Sequence, residues 1–203
     1  IYSFLMDQYR VYGNPIKQSR SPFIHQAFAL STDQSLSYQS ELVALNEFEL
    51  VVKQFINAGG QGANITVPFK EQALSICDQL SERAQLAGAV NTLSFVEGKI
   101  FGDNTDGLGL VKDLLKNRVT LKESKILLLG AGGAAKGVIL PLLAQQPKLL
   151  VIANRTITKA EILVNQFNND KLSACGFEQI PNHSFDLIIN ATSASLSGTV
   201  PPI

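Results

Sequence analysis

Lys125-Ile126-Leu127-Leu128-Leu129-Gly130-Ala131-Gly132-Gly133-Ala134-Ala135-Lys136-Gly137 runs from an apolar strand straight into a glycine-rich turn and on into a helix. Glycine at 130 and 132 lets the backbone turn tightly and approach a ligand closely. The small Ala135 allows a helix to pack against its strand, and the unpaired N–H groups at the helix start face an anion. The pattern is GxGxxA, with Gly130, Ala131, Gly132, Gly133 and Ala134 as the phosphate-facing backbone. A tight strand-to-helix turn is the bland alternative. A second apolar strand, Leu149 to Ala153, follows at βαβ spacing and favours dinucleotide binding.

The end of that second strand discriminates between cofactors. An NAD-preferring site places Asp or Glu there to accept from the ribose 2′-hydroxyl. This chain has Asn154-Arg155-Thr156, with Lys159 one helical turn further on. A guanidinium, an amide, a hydroxyl and a second cation suit a 2′-phosphate, so the expected cofactor is NADP. The competing reading is that Arg155 is a solvated loop cation.

The remaining composition is that of an ordinary globular enzyme. A chain of 203 residues with 45% hydrophobic content can bury one large or two small cores. Seventeen basic and seventeen acidic residues cancel, leaving no global field to attract nucleic acid or an anionic membrane. The longest apolar runs are strand-sized, far below the roughly 20 residues of a membrane span. Cys77, in a helical stretch, and Cys175, in a strand-like one, have no CxxC spacing, which points to reduced thiols and a cytoplasmic protein. His25 and His183 give too few ligands for a metal site, and none is expected. The leading Ile1 to Leu5 is too short and uncharged for a signal peptide, and reads as an expression scar or an upstream extension.

Strand and helix alternate before the glycine turn as well. Tyr9 to Gly13 reads as a strand, and Ser21-Pro22 as the capped start of a helix over Phe23 to Leu30. Tyr38 to Val43 is a second strand. Asn46 is positioned to cap a helix that carries Phe48, Val51, Val52, Phe55 and Ile56 and ends at Gly59-Gly60. Gly62 to Val67 is a third strand, feeding a helix from Pro68-Phe69-Lys70 through Leu80. A hairpin turns at Glu97-Gly98, and a helix from about Gly107 to Lys116 marks the domain boundary. The fold class is α/β, in two domains. Residues 6–106 form an α/β domain with a mostly parallel sheet, and residues 107–203 a Rossmann-type NADP-binding domain.

Polar residues gather at the strand ends of the first domain. Period-two alternation puts Asn64 and Thr66 on one face, with Lys70 in the first helical turn beyond. A cation set against the helix dipole is better explained by a substrate, and by general-base use, than by helix stability. Gly102-Asp103-Asn104-Thr105-Asp106-Gly107 offers two carboxylates, although a capped turn would use the same residues. Ser19-Arg20-Ser21 offers two hydroxyls, as cap groups or as donors to a small anion.

Taken in order, Gly13-Asn14-Pro15-Ile16, Ser19-Arg20-Ser21-Pro22 with His25, Asn64 to Glu71, Ala87-Gly88-Ala89-Val90-Asn91-Thr92, Gly102 to Gly107, the GxGxxA turn, Asn154-Arg155-Thr156 and Asn190-Ala191-Thr192-Ser193 resemble the shikimate dehydrogenase family from about Tyr9 onward. The resemblance implies an N-terminal substrate domain facing an NADP-binding domain, and reversible reduction of 3-dehydroshikimate to shikimate in aromatic amino acid biosynthesis. It further implies that Ser19 and Ser21, helped by Thr66, hold the substrate carboxylate, and that Asn64, Asn91 and Asp106 hold ring hydroxyls. Lys70 stands beside the reacting oxygen. Hydride delivered to a ketone leaves an alkoxide that needs a proton, and Lys70 paired with Asp106 is expected to supply it. Thr192 and Ser193 are expected at the cofactor. Asp103 is expected to be a structural turn residue, and His25 a packed structural histidine.

Two departures from that reading are conceivable: a quinate/shikimate dehydrogenase accepting NAD, or a catalytically incomplete nucleotide-binding fragment. Arg155 and the paired serines favour the NADP-dependent type. Family members continue beyond Pro201-Pro202-Ile203 with a tyrosine and a glutamine near the substrate, so the Rossmann part reads as incomplete, with weak or absent turnover expected. The expected partners are the small-molecule substrate and NADP, with no nucleic acid and no membrane, in a monomer or homodimer.

Overall fold

The computed structural model describes residues 6–182 and 184–192, so the expectations for Ser193 and His183 lie outside the described residues. The chain divides into two compact units: residues up to Gln85 with Ala89–Asn104, and Leu86–Gly88 with Thr105 onward.

The first unit carries β1 (Asp7–Gly13), α1 (Ser21–Ser31), β2 (Leu36–Leu42), α2 (Phe48–Asn57), β3 (Gly60–Ile65), α3 (Lys70–Ser75), β4 (Gln79–Leu80), α4 (Glu82–Ala87, its end counted with the second unit), β5 (Thr92–Val96) and β6 (Lys99–Asp103). Its sheet runs β2-β1-β3-β5-β6-β4. β1 is parallel to both neighbours, β4 is parallel to β6, and β5 alone runs antiparallel to the strands beside it. The reversal is local: Glu97 and Gly98 both take positive φ, 50° and 75°, as a two-residue hairpin turn demands. Phe48, Val52 and Phe55 of α2 face inward at helical spacing and meet Tyr12, Ile65, Phe69 and Leu93. Phe48 stacks on Phe69 at 4.9 Å.

Three local expectations shift. Asn46 lies inside a turn closed by Glu47 N–H on Ala44 O at 3.0 Å, so Glu47, with no side-chain bond, precedes α2. Ser21 is the first residue of α1 rather than its cap, and its N–H donates to Ser19 Oγ at 3.3 Å. The helix expected to reach Leu80 stops at Ser75, leaving Cys77 beyond it. Tertiary pairing is the cause: Asp78 N–H donates to Ile100 O at 2.9 Å, its Oδ2 accepts Ile100 N–H at 2.7 Å, and Gln79-Leu80 joins β6.

The second unit carries α5 (Asp106–Lys116), β7 (Lys125–Leu129), α6 (Gly133–Leu143), β8 (Leu149–Ala153), α7 (Ile157–Phe167), β9 (Leu172–Cys175), a 3-10 turn at Phe177–Gln179 and β10 (Leu187–Asn190). Its sheet, β10-β7-β8-β9, is parallel throughout. The central strands β7 and β8 are covered on both faces and are almost continuously apolar. Ile126, Leu128, Leu150 and Ile152 pack against α6, α7 and α5. The alternate residues Leu127, Leu129, Val151 and Ala153 pack against Phe177, Ile180 and Phe185.

Candidate active site

In the second unit the strand order reverses beside β7, whose neighbours are β8 on one side and β10 on the other. Ligands of open parallel sheets bind at the carboxyl end of such a switch point. Gly130 closes β7 there with φ +107°, donating its N–H to Ala153 O at 2.8 Å. A Cβ at Gly130 would stand 2.9 Å from Ala191 O and 3.3 Å from Thr192 Cγ2, so glycine is needed for both conformation and clearance.

Two residues on, the situation inverts. A Cβ at Gly132 or Gly133 would meet nothing within 4 Å, which leaves open space over the start of α6. Gly132 is extended and precedes the helix, whose first turn has no acidic residue, while Ala131 and Ala135 are buried and Ala134 is exposed. Unpaired N–H groups and an unfilled cradle fit a pyrophosphate.

At the end of β8, Asn154 Nδ2 donates to Thr156 O at 2.8 Å, and Thr156 precedes α7. Arg155 and Lys159 are exposed, and the first turn of α7 has no carboxylate. The donor set fits a 2′-phosphate. Thr192 sits beside Gly130 in a turn in which its N–H and hydroxyl both donate to Asn190 Oδ1, at 3.0 and 2.7 Å.

In the first unit the polar residues converge on the carboxyl end of β3. Asn64 pairs in register with Thr92 of β5, and Ile65 N–H donates to Asn91 O at 2.8 Å. Thr66 follows, its N–H on Tyr12 O at 2.9 Å, and its methyl occupies the space beside Gly13, where a Cβ would lie 2.5 Å away. Lys70 opens α3, and its carbonyl accepts Val90 N–H at 2.8 Å, tying it to the segment leading into Asn91. Asn64, Thr66 and Lys70 are half-buried and Asn91 is buried. Ser19 and Ser21 are half-buried at the start of α1. Asp106 is the first residue of α5, in the second unit.

Two neighbours escaped the sequence reading. Tyr38 Oη donates to Asn64 Oδ1 at 2.6 Å, and Thr92 Oγ1 donates to Asn91 Oδ1 at 2.8 Å. The threonine was legible as the partner in register on the next strand. The tyrosine reaches across from β2, a non-local contact that no spacing signals. Asp103 is committed elsewhere: it accepts from Ser81 Oγ at 2.6 Å, from Asn104 N–H at 2.7 Å and from Arg83 through two nitrogens. The Arg83 guanidinium holds its carboxyl below the usual carboxylate range. His25 stacks on the Tyr38 ring at 4.1 Å, and burial pulls its imidazole pKa down.

An α/β unit with an NADP-type crevice, joined in one chain to a second α/β unit with amide, hydroxyl and ammonium groups at its strand ends, defines a dinucleotide-dependent oxidoreductase. Known proteins narrow the class. Residues 11–93 match the family described as shikimate dehydrogenase substrate binding domain, and residues 111–197 match shikimate / quinate 5-dehydrogenase. The shikimate dehydrogenase (NADP(+)) of Colwellia psychrerythraea is 62% identical over 97% of this chain and 72% of the relative. That of Psychromonas ingrahamii is 56% identical over 98% and 73%. Among solved structures, an Ael1 enzyme from Pseudomonas putida superposes with a TM-score of 0.91 at 45% identity, covering 97% of this chain and 73% of that one. Shikimate 5-dehydrogenase from Thermus thermophilus, in complex with NADP(H) and shikimate, superposes with a TM-score of 0.86 at 33% identity, again over 97% and 73%. The chain belongs to the shikimate dehydrogenase family, and spans a little over 70% of the length of these relatives.

Proposed function

We propose that residues 6–106 act as the substrate domain and residues 107–203 as the cofactor domain of an enzyme in which Lys70 and Asp106 move the proton. The reaction is the NADP-dependent, reversible reduction of 3-dehydroshikimate to shikimate in aromatic amino acid biosynthesis. The observation that carries the residue assignment is the crowding of Asn64, Thr66 and Lys70 around the end of β3 with Asn91 alongside on the next segment.

The Ser19 and Ser21 hydroxyls, with Thr66, donate to the substrate carboxylate. Each such bond to a charged group contributes about 1.5–3 kcal/mol. Asn64, Asn91 and Asp106 hold the ring hydroxyls and so fix which carbon reacts. Backbone N–H groups from Gly130 to Ala134 hold the cofactor pyrophosphate, Asn154, Arg155, Thr156 and Lys159 hold the 2′-phosphate, and Thr192 and Ser193 contribute to cofactor binding. When bound, NADPH supplies a hydride to the carbonyl carbon. The oxygen there gains negative charge, and Lys70 Nζ gives it a proton. In the oxidative direction the neutral amine takes that proton from the hydroxyl, with the Asp106 carboxylate stabilising the ammonium that forms. Cys77 and Cys175 are free thiols, which supports a cytoplasmic location. Among the described residues no helix is long and apolar enough to cross a membrane.

Shikimate titration of Ser19→Ala, Ser21→Ala and Asn91→Ala tests the substrate assignment. Each should weaken shikimate about tenfold or more, following the loss of one bond to a charged or buried partner, while leaving NADP+ binding intact. Shikimate affinity unchanged in all three variants would contradict it.

A further inference from the structure

Tyr38 lies opposite Tyr9 in the β1–β2 register, while Asn64 lies opposite Val11 on the far side of β1. The side chains of residues 9, 11, 38, 62 and 64 share one sheet face by alternation. The long phenol reaches across β1 to Asn64, two inter-strand spacings of about 4.8 Å each. It is 8% exposed, with its ring stacked on His25 within 5° of parallel.

The hydrogen bonds made by its hydroxyl are constrained by donor counting. A phenol has one proton, and Tyr38 Oη gives it to Asn64 Oδ1 at 2.6 Å. On the opposite edge, Asn64 Nδ2 donates to Asn91 O at 3.2 Å and Thr92 Oγ1 at 3.3 Å, both long. Thr92 gives its own proton to Asn91 Oδ1. The Asn91 carbonyl is acceptor-only, so turning the amide over would set oxygen against oxygen there and leave no proton acceptor at Tyr38 from Asn64. The oxygen edge is held by a short bond and the nitrogen edge by weak ones.

We propose that Tyr38 is a positioning residue of the substrate site, whose hydroxyl fixes the Asn64 amide so that Nδ2 is the edge offered to a substrate hydroxyl. The proposal rests on the assignment of Asn64 to that site. Asn64 Nδ2 has two protons, both in long bonds, so a substrate hydroxyl accepts one of them by displacing Asn91 O or Thr92 Oγ1. Burial, which raises the Tyr38 pKa, keeps that phenol protonated throughout the neutral range.

Tyr38→Phe keeps the ring and its stack on His25 and removes the hydroxyl alone. Shikimate and NADP+ dissociation constants are measured by titration for the parent chain, Y38F, N64A and the double variant. Y38F should weaken shikimate about tenfold, the scale of one lost hydrogen bond, with NADP+ affinity unchanged. In the N64A background the same substitution should cost less than threefold, because the phenol acts through the amide. A general packing defect would add in full and would also disturb NADP+ binding or lower Tm. Unchanged shikimate affinity in Y38F alongside weakened N64A, or full additivity of the two, overturns the positioning role. Unchanged affinity in N64A itself overturns the site assignment and this proposal with it.

Discussion

A side chain on Gly107 would overlap the carbonyl oxygen of Gly137, and would stand 2.6 Å from Pro141 Cγ and 3.0 Å from Val138 Cα. α5 and α6 therefore cross backbone to backbone. Pro141 has no N–H to give the Gly137 carbonyl, and this same carbonyl is the one α5 packs against. The contact ties the first turn of α5, where Asp106 stands, to the helix that leaves the glycine turn. Gly107→Ala should destabilise the chain by about 1–3 kcal/mol, the cost of overpacking, and lower kcat by displacing Asp106. Thermal unfolding with steady-state kinetics checks both.

Tyr12 is buried between Phe48 and Phe55, each edge-on at 6.3 Å, and among the described residues its hydroxyl has no hydrogen-bond partner. Burial pushes its pKa up to about 12. Tyr12→Phe removes an unsatisfied buried group and keeps the ring, so it should stabilise by about 1 kcal/mol, raising Tm by about 2–4 °C. An unchanged or lower Tm would show that the hydroxyl is satisfied in solution.

Asp103 is held ionised by Arg83, Ser81 and Asn104. A carboxylate whose folded pKa lies below its unfolded value of about 3.9 contributes stability above that unfolded value, and loses it as pH falls through the folded one. Asp103→Asn should therefore lower stability by about 1–3 kcal/mol at pH 7, and the deficit should shrink as pH falls below the unfolded value of about 3.9 and through the folded one. Denaturant titrations at several pH values read it directly.

Arg155 is exposed at the end of β8, with no carboxylate in the first turn of α7. Arg155→Ala should weaken NADP+ by about tenfold to a hundredfold, the loss of a charge-assisted phosphate contact, and leave NAD+ affinity nearly unchanged. Parallel titrations with the two nucleotides separate that outcome from a general loss of binding.

The cofactor unit was more legible in the sequence than the first unit. A buried parallel strand such as Lys125–Leu129, entering Gly130-Ala131-Gly132 and a helix, is a local signal, and the strand, turn and helix fall where the residues place them. The first unit depends on contacts distant along the chain. Helical periodicity after Lys70 yields to pairing of Gln79-Leu80 with β6, and Ser21 gives up the expected cap position at the start of α1. Asn64, Thr66 and Lys70 could be grouped from alternation alone. Tyr38 could not, because its bond to Asn64 spans 26 positions and passes across β1.

Lys70→Ala tests the central claim most directly, with NADP-dependent oxidation of shikimate followed by absorbance of the reduced nicotinamide and shikimate affinity titrated in parallel. Loss of the proton-transfer group should lower kcat by about 10²–10⁴ relative to the parent chain, with shikimate and NADP+ dissociation constants changed far less. A kcat within a fewfold of the parent value would show that Lys70 does not move the proton.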